Sequence, residues 1–144
     1  KELLDYSRLL HGKDIRGQLT PPSFENIKTN IQFHYETIRK YASSTGRSIY
    51  SFGWLLDIAR CIYTLRIGKI ISKTAAGEWA LQNCLFHNIT ALETALEVRK
   101  NPQKYLEDAE LQDLSEKLGN VIQQYADVLE KELKTTSFDG VCTF

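Results

Sequence analysis

Six side chains, Phe24, Ile27, Ile31, His34, Ile38 and Tyr41, recur at alternating intervals of three and four. That spacing places all six on one stripe of a helix and cannot be reconciled with a strand, whose faces alternate every second residue. Thr20-Pro21-Pro22-Ser23 stands directly before the stripe. Proline favours the first helical position, and a hydroxyl there accepts from an orphan backbone N–H. The same spacing returns in Leu111, Leu114, Leu118, Val121, Tyr125 and Val128, with Leu129 and Leu133 extending it. Between the two stripes, Ile49 to Leu65 is apolar on more than one face, which makes it the most buried helix, and Gly68 stands where it should stop.

Shorter helices fit 2–12, 73–84 and 89–99, with Ser72 and Asn88 as N-caps for the last two and Pro102 as the stop. No segment alternates apolar and polar residues between hairpin turns. The expectation is an all-α fold, an antiparallel bundle of about five to six helices, with long helices at 22–43, 48–66 and 107–134. Residues 1–134 form one domain, and 135–144, where the periodicity is lost, form a loose tail.

Charge and cysteine usage narrow the function classes. Eighteen basic residues balance eighteen acidic ones in 144 residues, so there is no basic excess for nucleic-acid or membrane binding. The longest apolar run, Trp54 to Ile67, is broken by Asp57, Arg60 and Arg66 and falls short of the roughly 18 residues of a membrane span. Cys61, Cys84 and Cys142 form no CxxC pair. Cys61 and Cys84 lie in apolar runs and read as buried free thiols in a reducing, cytoplasmic compartment. The chain opens on Lys1 and contains no methionine, which fits a trimmed start.

No Gly-rich phosphate loop, HExxH or GxSxG motif occurs, and His11, His34 and His87 are not spaced as ligand pairs. Catalytic residues and metal ligands are therefore assigned nowhere on this chain. Two features depart from an ordinary helical surface. Asp57 falls inside the most apolar helix, where a charge is costly unless paired or functional. Arg60, one turn on, suits a structural ion pair; a carboxylate facing a ligand is the other reading. The second feature is Arg66-Ile67-Gly68-Lys69-Ile70-Ile71-Ser72-Lys73, three cations around a turn that precedes a helix N-terminus. It suits either an anion such as a nucleotide phosphate or simple compensation of the preceding helix dipole.

Leu55-Leu56-Asp57-Ile58-Ala59-Arg60-Cys61-Ile62-Tyr63, Gly68-Lys69-Ile70, Ser72-Lys73 and Ala76-Gly77-Glu78-Trp79-Ala80 follow one another in order. This run resembles the helical domain of the aminoglycoside adenylyltransferases that act on streptomycin and spectinomycin. The likeness covers most of the chain, strongest at 54–81 and weak after about 105, and Tyr6 to Gly17 resembles the segment leading out of that family's catalytic half. That half, with its Gly-Ser motif and metal-binding carboxylates, has no counterpart here. The resemblance implies that ATP and magnesium serve a full-length parent, and that the catalytic domain is a partner in cis, N-terminal to residue 1, or in trans.

On the same basis the helical half closes over the nucleotide and helps bind a small-molecule acceptor. Lys73 takes the phosphate-contacting role, with Lys69 beside it. Where the family carries a nucleotide-touching aromatic, this chain reads Glu97-Val98-Arg99-Lys100, so Arg99 is the candidate replacement. Tyr50, Trp54 and Asp57 are candidates for the acceptor side. The acidic residue and histidine that the streptomycin enzymes place ahead of the Arg-bearing helix are replaced by Tyr50-Ser51-Phe52-Gly53, which counts against those two drugs as acceptors. Arg60 and Glu78 match charged family positions and are expected to pair across the two helices. The competing class is a free-standing helical partner of a minimal nucleotidyltransferase, as in toxin–antitoxin pairs. A ribonuclease of that group needs Arg and His in an RxxxxH arrangement, and Arg8-Leu9-Leu10-His11 has the wrong spacing.

Overall fold

The computed structural model describes residues 2–136, and among these there is no strand. Eight α-helices follow in order: α1 (Glu2–Tyr6), α2 (Phe24–Tyr41), α3 (Gly53–Ile67), α4 (Lys73–Gln82), α5 (Ile89–Lys100), α6 (Pro102–Tyr105), α7 (Ala109–Glu116) and α8 (Gly119–Thr135). Five of them, α2, α3, α4, α5 and α8, are ten residues or longer and form the expected bundle. No helix among the described residues is long and apolar enough to cross a membrane.

α3 is the hub, packed against α2, α4, α5 and α8. Its burial explains the missing amphipathic pattern in the sequence: Leu55, Leu56, Ile58, Ala59, Ile62 and Leu65 point to different neighbours and all are buried. Each fully buried Leu or Ile contributes roughly 1.5–3 kcal/mol of transfer free energy. α8 closes the core with Ile122, Tyr125, Ala126, Leu129 and Leu133. Phe86, from the loop after α4, stacks on Tyr125 with ring centroids 3.7 Å apart. Arg39 joins α2 to α8, donating to the Gln123 carbonyl at 3.1 Å and to Asp127 at 2.5 Å.

The capping residues stand as read. Ser23 Oγ accepts from Asn26 N, Ser72 Oγ from Ala75 N and Asn88 Oδ1 from Ala91 N. Gly68 ends α3 in the left-handed region at φ 73°, a conformation that glycine adopts without steric cost.

Several boundaries differ from the sequence reading. The helix expected at 2–12 ends at Tyr6. Gly12 turns the chain at φ 89°, and Arg16 reaches back to the Ser7 carbonyl at 2.9 Å, closing a loop. Ile49–Phe52 is a 3-10 turn ahead of α3; α5 stops at Lys100, ahead of Pro102 as expected, but Pro102 then opens a further short helix. Tyr41 is 62% exposed; Ala42, four residues after Ile38, takes the buried place. The helix expected at 107–134 is broken at Lys117–Leu118, leaving Leu114 exposed. At the break the backbones approach closely: a Cβ on Gly119 would lie 2.2 Å from the Ser43 carbonyl oxygen. Backbone meets backbone there, and Thr45 Oγ1 donates to the Ser115 carbonyl at 2.6 Å just before the break.

Cys61 is buried as expected, but Cys84 is exposed. Its backbone is left-handed, φ 49°, at the turn after α4. That turn sends Leu85 and Phe86 inward and the thiol outward. α8 runs through Thr135 and is capped by Thr136; residues 137–144 of the expected tail, Cys142 among them, lie outside the described residues.

Candidate functional site

The connection from α3 to α4 sets the geometry of the site. Gly68 to Ser72 is five residues, which extended can span about 17 Å. Asp57 lies ten helical steps before Ile67, a rise of about 15 Å. The connection therefore carries the chain back along α3, and α4 begins beside the middle of that helix. Lys73, the first residue of α4, meets Asp57: Nζ donates to Oδ2 at 2.8 Å. Asp57 Oδ1 accepts from Arg60 at 3.4 Å. The carboxylate thus takes one cation on each oxygen, with its side chain only 13% exposed.

A pocket of about 250 Å³ opens beside Lys73. Tyr50, from the 3-10 turn, and Arg99, from the last turn of α5, border it with Lys73, over a floor that includes Leu56, Ala95 and Val98. Three residues read separately from the sequence are brought together there. Trp54 lies elsewhere, stacked on His34 with centroids 6.0 Å apart and planes at 28°. Lys69 is exposed in the connection and does not border this pocket.

A second pocket, of about 310 Å³, lies between α2 and α3, bordered by Asn30, His34, Arg60, Cys61 and Thr64. Burial shapes two of its titratable groups, His34 and Cys61. The His34 imidazole is held below its ordinary value mainly by burial, against the opposing pull of Asp57. The Cys61 thiol is pushed up to about 12, by burial first and by the Asp57 charge second. Asp57 sits between the two pockets, binding Lys73 on one side and Arg60 on the other.

Two expectations are corrected. Arg60 and Glu78 do not pair: Glu78 joins Lys100 of α5 at 2.7 Å, and Arg60 turns to Asp57. Because α4 starts beside the middle of α3, Glu78 comes to lie against α5. The three cations around the turn also do not cluster. Arg66 leaves it to pair with Glu132 of α8 and lie over the Trp79 ring at 5.8 Å. Trp79 in turn meets Tyr63 edge to face at 5.2 Å.

Sequence reading missed the Asp57–Lys73 bridge. The available signal was a lone carboxylate in an apolar helix with more cations than it needs nearby. Among the described residues no group of three or more His, Cys, Asp or Glu side chains comes together to hold a metal ion.

No curated protein and no solved structure matches the chain. The model of the family described as aminoglycoside adenylyltransferase, C-terminal domain, matches residues 25–131, a span from the first turn of α2 to near the end of α8. The chain belongs to this C-terminal domain family of the aminoglycoside adenylyltransferases.

Proposed function

We propose that this domain is the helical half of a nucleotidyltransferase, closing over ATP and forming part of the site for a small-molecule acceptor. The observation that carries the reading is the convergence of Tyr50, Lys73 and Arg99 on one pocket. Lys73 supplies a point charge and Arg99 a planar fork of donors for phosphate oxygens. Tyr50, two-thirds exposed, offers an aromatic face and a hydroxyl toward the acceptor. The start of α4 adds backbone N–H groups beside Lys73.

The metal that accompanies ATP is assigned to the catalytic half, and no step is drawn through it here. In this proposal the work of the helical half is to bind, orient and exclude water. The acceptor is aminoglycoside-like in the sense of the family, without the streptomycin enzymes' acidic residue and histidine. The setting is the bacterial cytoplasm.

The test is calorimetric titration of ATP into the domain in its natural association with the catalytic half. Lys73→Ala should weaken ATP binding about tenfold or more, the loss of one charge-assisted phosphate contact. Lys69→Ala, outside the pocket, should do less. Wild-type affinity in Lys73→Ala would show that the phosphate assignment is wrong. The reading frame upstream of Lys1 decides between cis and trans: a Gly-Ser…Asp-x-Asp motif in frame means one polypeptide, a stop codon means a separate partner.

A further inference from the structure

We infer that Asp57 is a built-in counter-anion for Lys73, which holds the ammonium at the pocket and weakens phosphate binding in proportion to the charge of the ligand. The inference rests on the reading of Lys73 as a phosphate contact.

Asp57 is largely shielded, and both its oxygens are engaged by cations, Lys73 at 2.8 Å and Arg60 at 3.4 Å. An ammonium has three N–H donors. One points at Asp57, while the Lys73 side chain still borders the pocket beside Tyr50 and Arg99. Holding a lysine in one place restricts a long, flexible stem, so Asp57 fixes where the charge is presented.

The same arrangement has an electrostatic consequence. A phosphate oxygen accepting from Lys73 comes within two hydrogen-bond lengths of Asp57, about 5–6 Å, because one ammonium is shared. That is inside the Debye length of about 8 Å at physiological salt, so the two anions repel each other. The repulsion grows from adenosine, which has none, through AMP to ATP. A lysine held by an uncharged acceptor would give no such dependence on ligand charge.

Asp57→Asn keeps an oxygen for Lys73 and removes the charge. ATP, AMP and adenosine would be titrated into wild type, Asp57→Asn and Lys73→Ala, each with the catalytic half present and magnesium omitted, so that ATP keeps its full charge. Asp57→Asn should bind ATP roughly three- to tenfold more tightly, AMP with a smaller gain and adenosine unchanged. The gain should shrink as salt rises. ATP binding that is unchanged or weaker in folded Asp57→Asn overturns the inference. If Lys73→Ala loses nothing, the parent reading fails; if it loses affinity while Asp57→Asn gains none, only the present inference fails.

A measurement on the wild type keeps the inference open to refutation should Asp57→Asn not fold. During titration with inorganic tripolyphosphate, the carbon-13 carboxyl signal of Asp57 should move together with the nitrogen-15 ammonium signal of Lys73. A carboxyl signal that stays still while the ammonium responds would overturn the inference.

Discussion

Gly119 lies against the Ser43 carbonyl so closely that a Cβ would stand 2.2 Å from the oxygen and 2.9 Å from the carbonyl carbon. Neither atom can swing aside, because both belong to the backbone of the α2–α3 connection. Gly119→Ala should therefore cost about 2–3 kcal/mol in urea unfolding, at the upper end for overpacked sites. Gly77 is the comparison. A Cβ there meets the Cδ2 atoms of Leu56 at 2.7 Å and Leu96 at 2.9 Å. These are ends of side chains that can yield, and alanine gains about 1 kcal/mol of helix propensity over glycine. Gly77→Ala should stay within about 1 kcal/mol of wild type. Equal losses in the two variants would show that the close backbone approach at Gly119 is not more costly to fill than the side-chain contacts at Gly77.

The two lysines around the α3–α4 connection should separate in stability measured without nucleotide. Lys73→Ala leaves Asp57, with its 13% exposed side chain, facing Arg60 alone at the longer distance of 3.4 Å. A loss of about 1–2 kcal/mol is expected for a charge-assisted bond at a half-buried site. Lys69→Ala, fully on the surface, should fall within about 0.5 kcal/mol of wild type. Differential scanning calorimetry compares them directly, and a Lys73→Ala melting temperature equal to wild type would contradict the bridge.

Glu78 and Lys100 are both about half exposed, at 47% and 48%. Their double-mutant cycle should give a coupling of no more than about 0.5–1 kcal/mol, and less at high salt. A cycle between Arg60 and Glu78 should give none. Strong coupling in the second cycle would restore the pairing expected from the sequence.

Cys61 and Cys84 should behave as opposites toward thiol reagents. With its thiol pushed up to about 12 and buried, native Cys61 should resist iodoacetamide at pH 8 while exposed Cys84 reacts. Site-resolved mass spectrometry reads both. The same shift carries a pH dependence. A thiol whose folded value lies above its unfolded value near 9 contributes its full stability below pH 9 and loses it as pH rises toward 12. Cys61→Ala should flatten that part of the alkaline limb; an unchanged slope would count against the shift.

What the sequence made legible was local. Ser23, Ser72, Asn88 and Gly68 act within three or four residues of themselves, and each ends or begins a helix where it was read to do so. The stripe of α2 was readable for the same reason, up to Tyr41, where the choice between Tyr41 and Ala42 depended on neighbours in space. The break before Gly119 was not readable, and neither was the contact made there with the backbone of Ser43, far back in the chain. In the site, the residue types were legible and their partners were not. Glu78 could be seen to need a cation, but choosing Lys100 over Arg60 required knowing that the α3–α4 connection runs back along α3.

That connection is also tethered from outside. Tyr6 donates its phenolic hydrogen to the Ile70 carbonyl at 2.5 Å, across 64 residues of sequence. Ile70 is three peptide units ahead of Lys73. The helix at the head of the described chain and the lysine at the pocket are therefore two ends of one short lever, with Ile70 as the point of attachment. A displacement that draws Tyr6 away drags on the peptide from which α4 departs. That one hydrogen bond ties the helix at the head of the described chain to the connection that delivers Lys73 to the pocket.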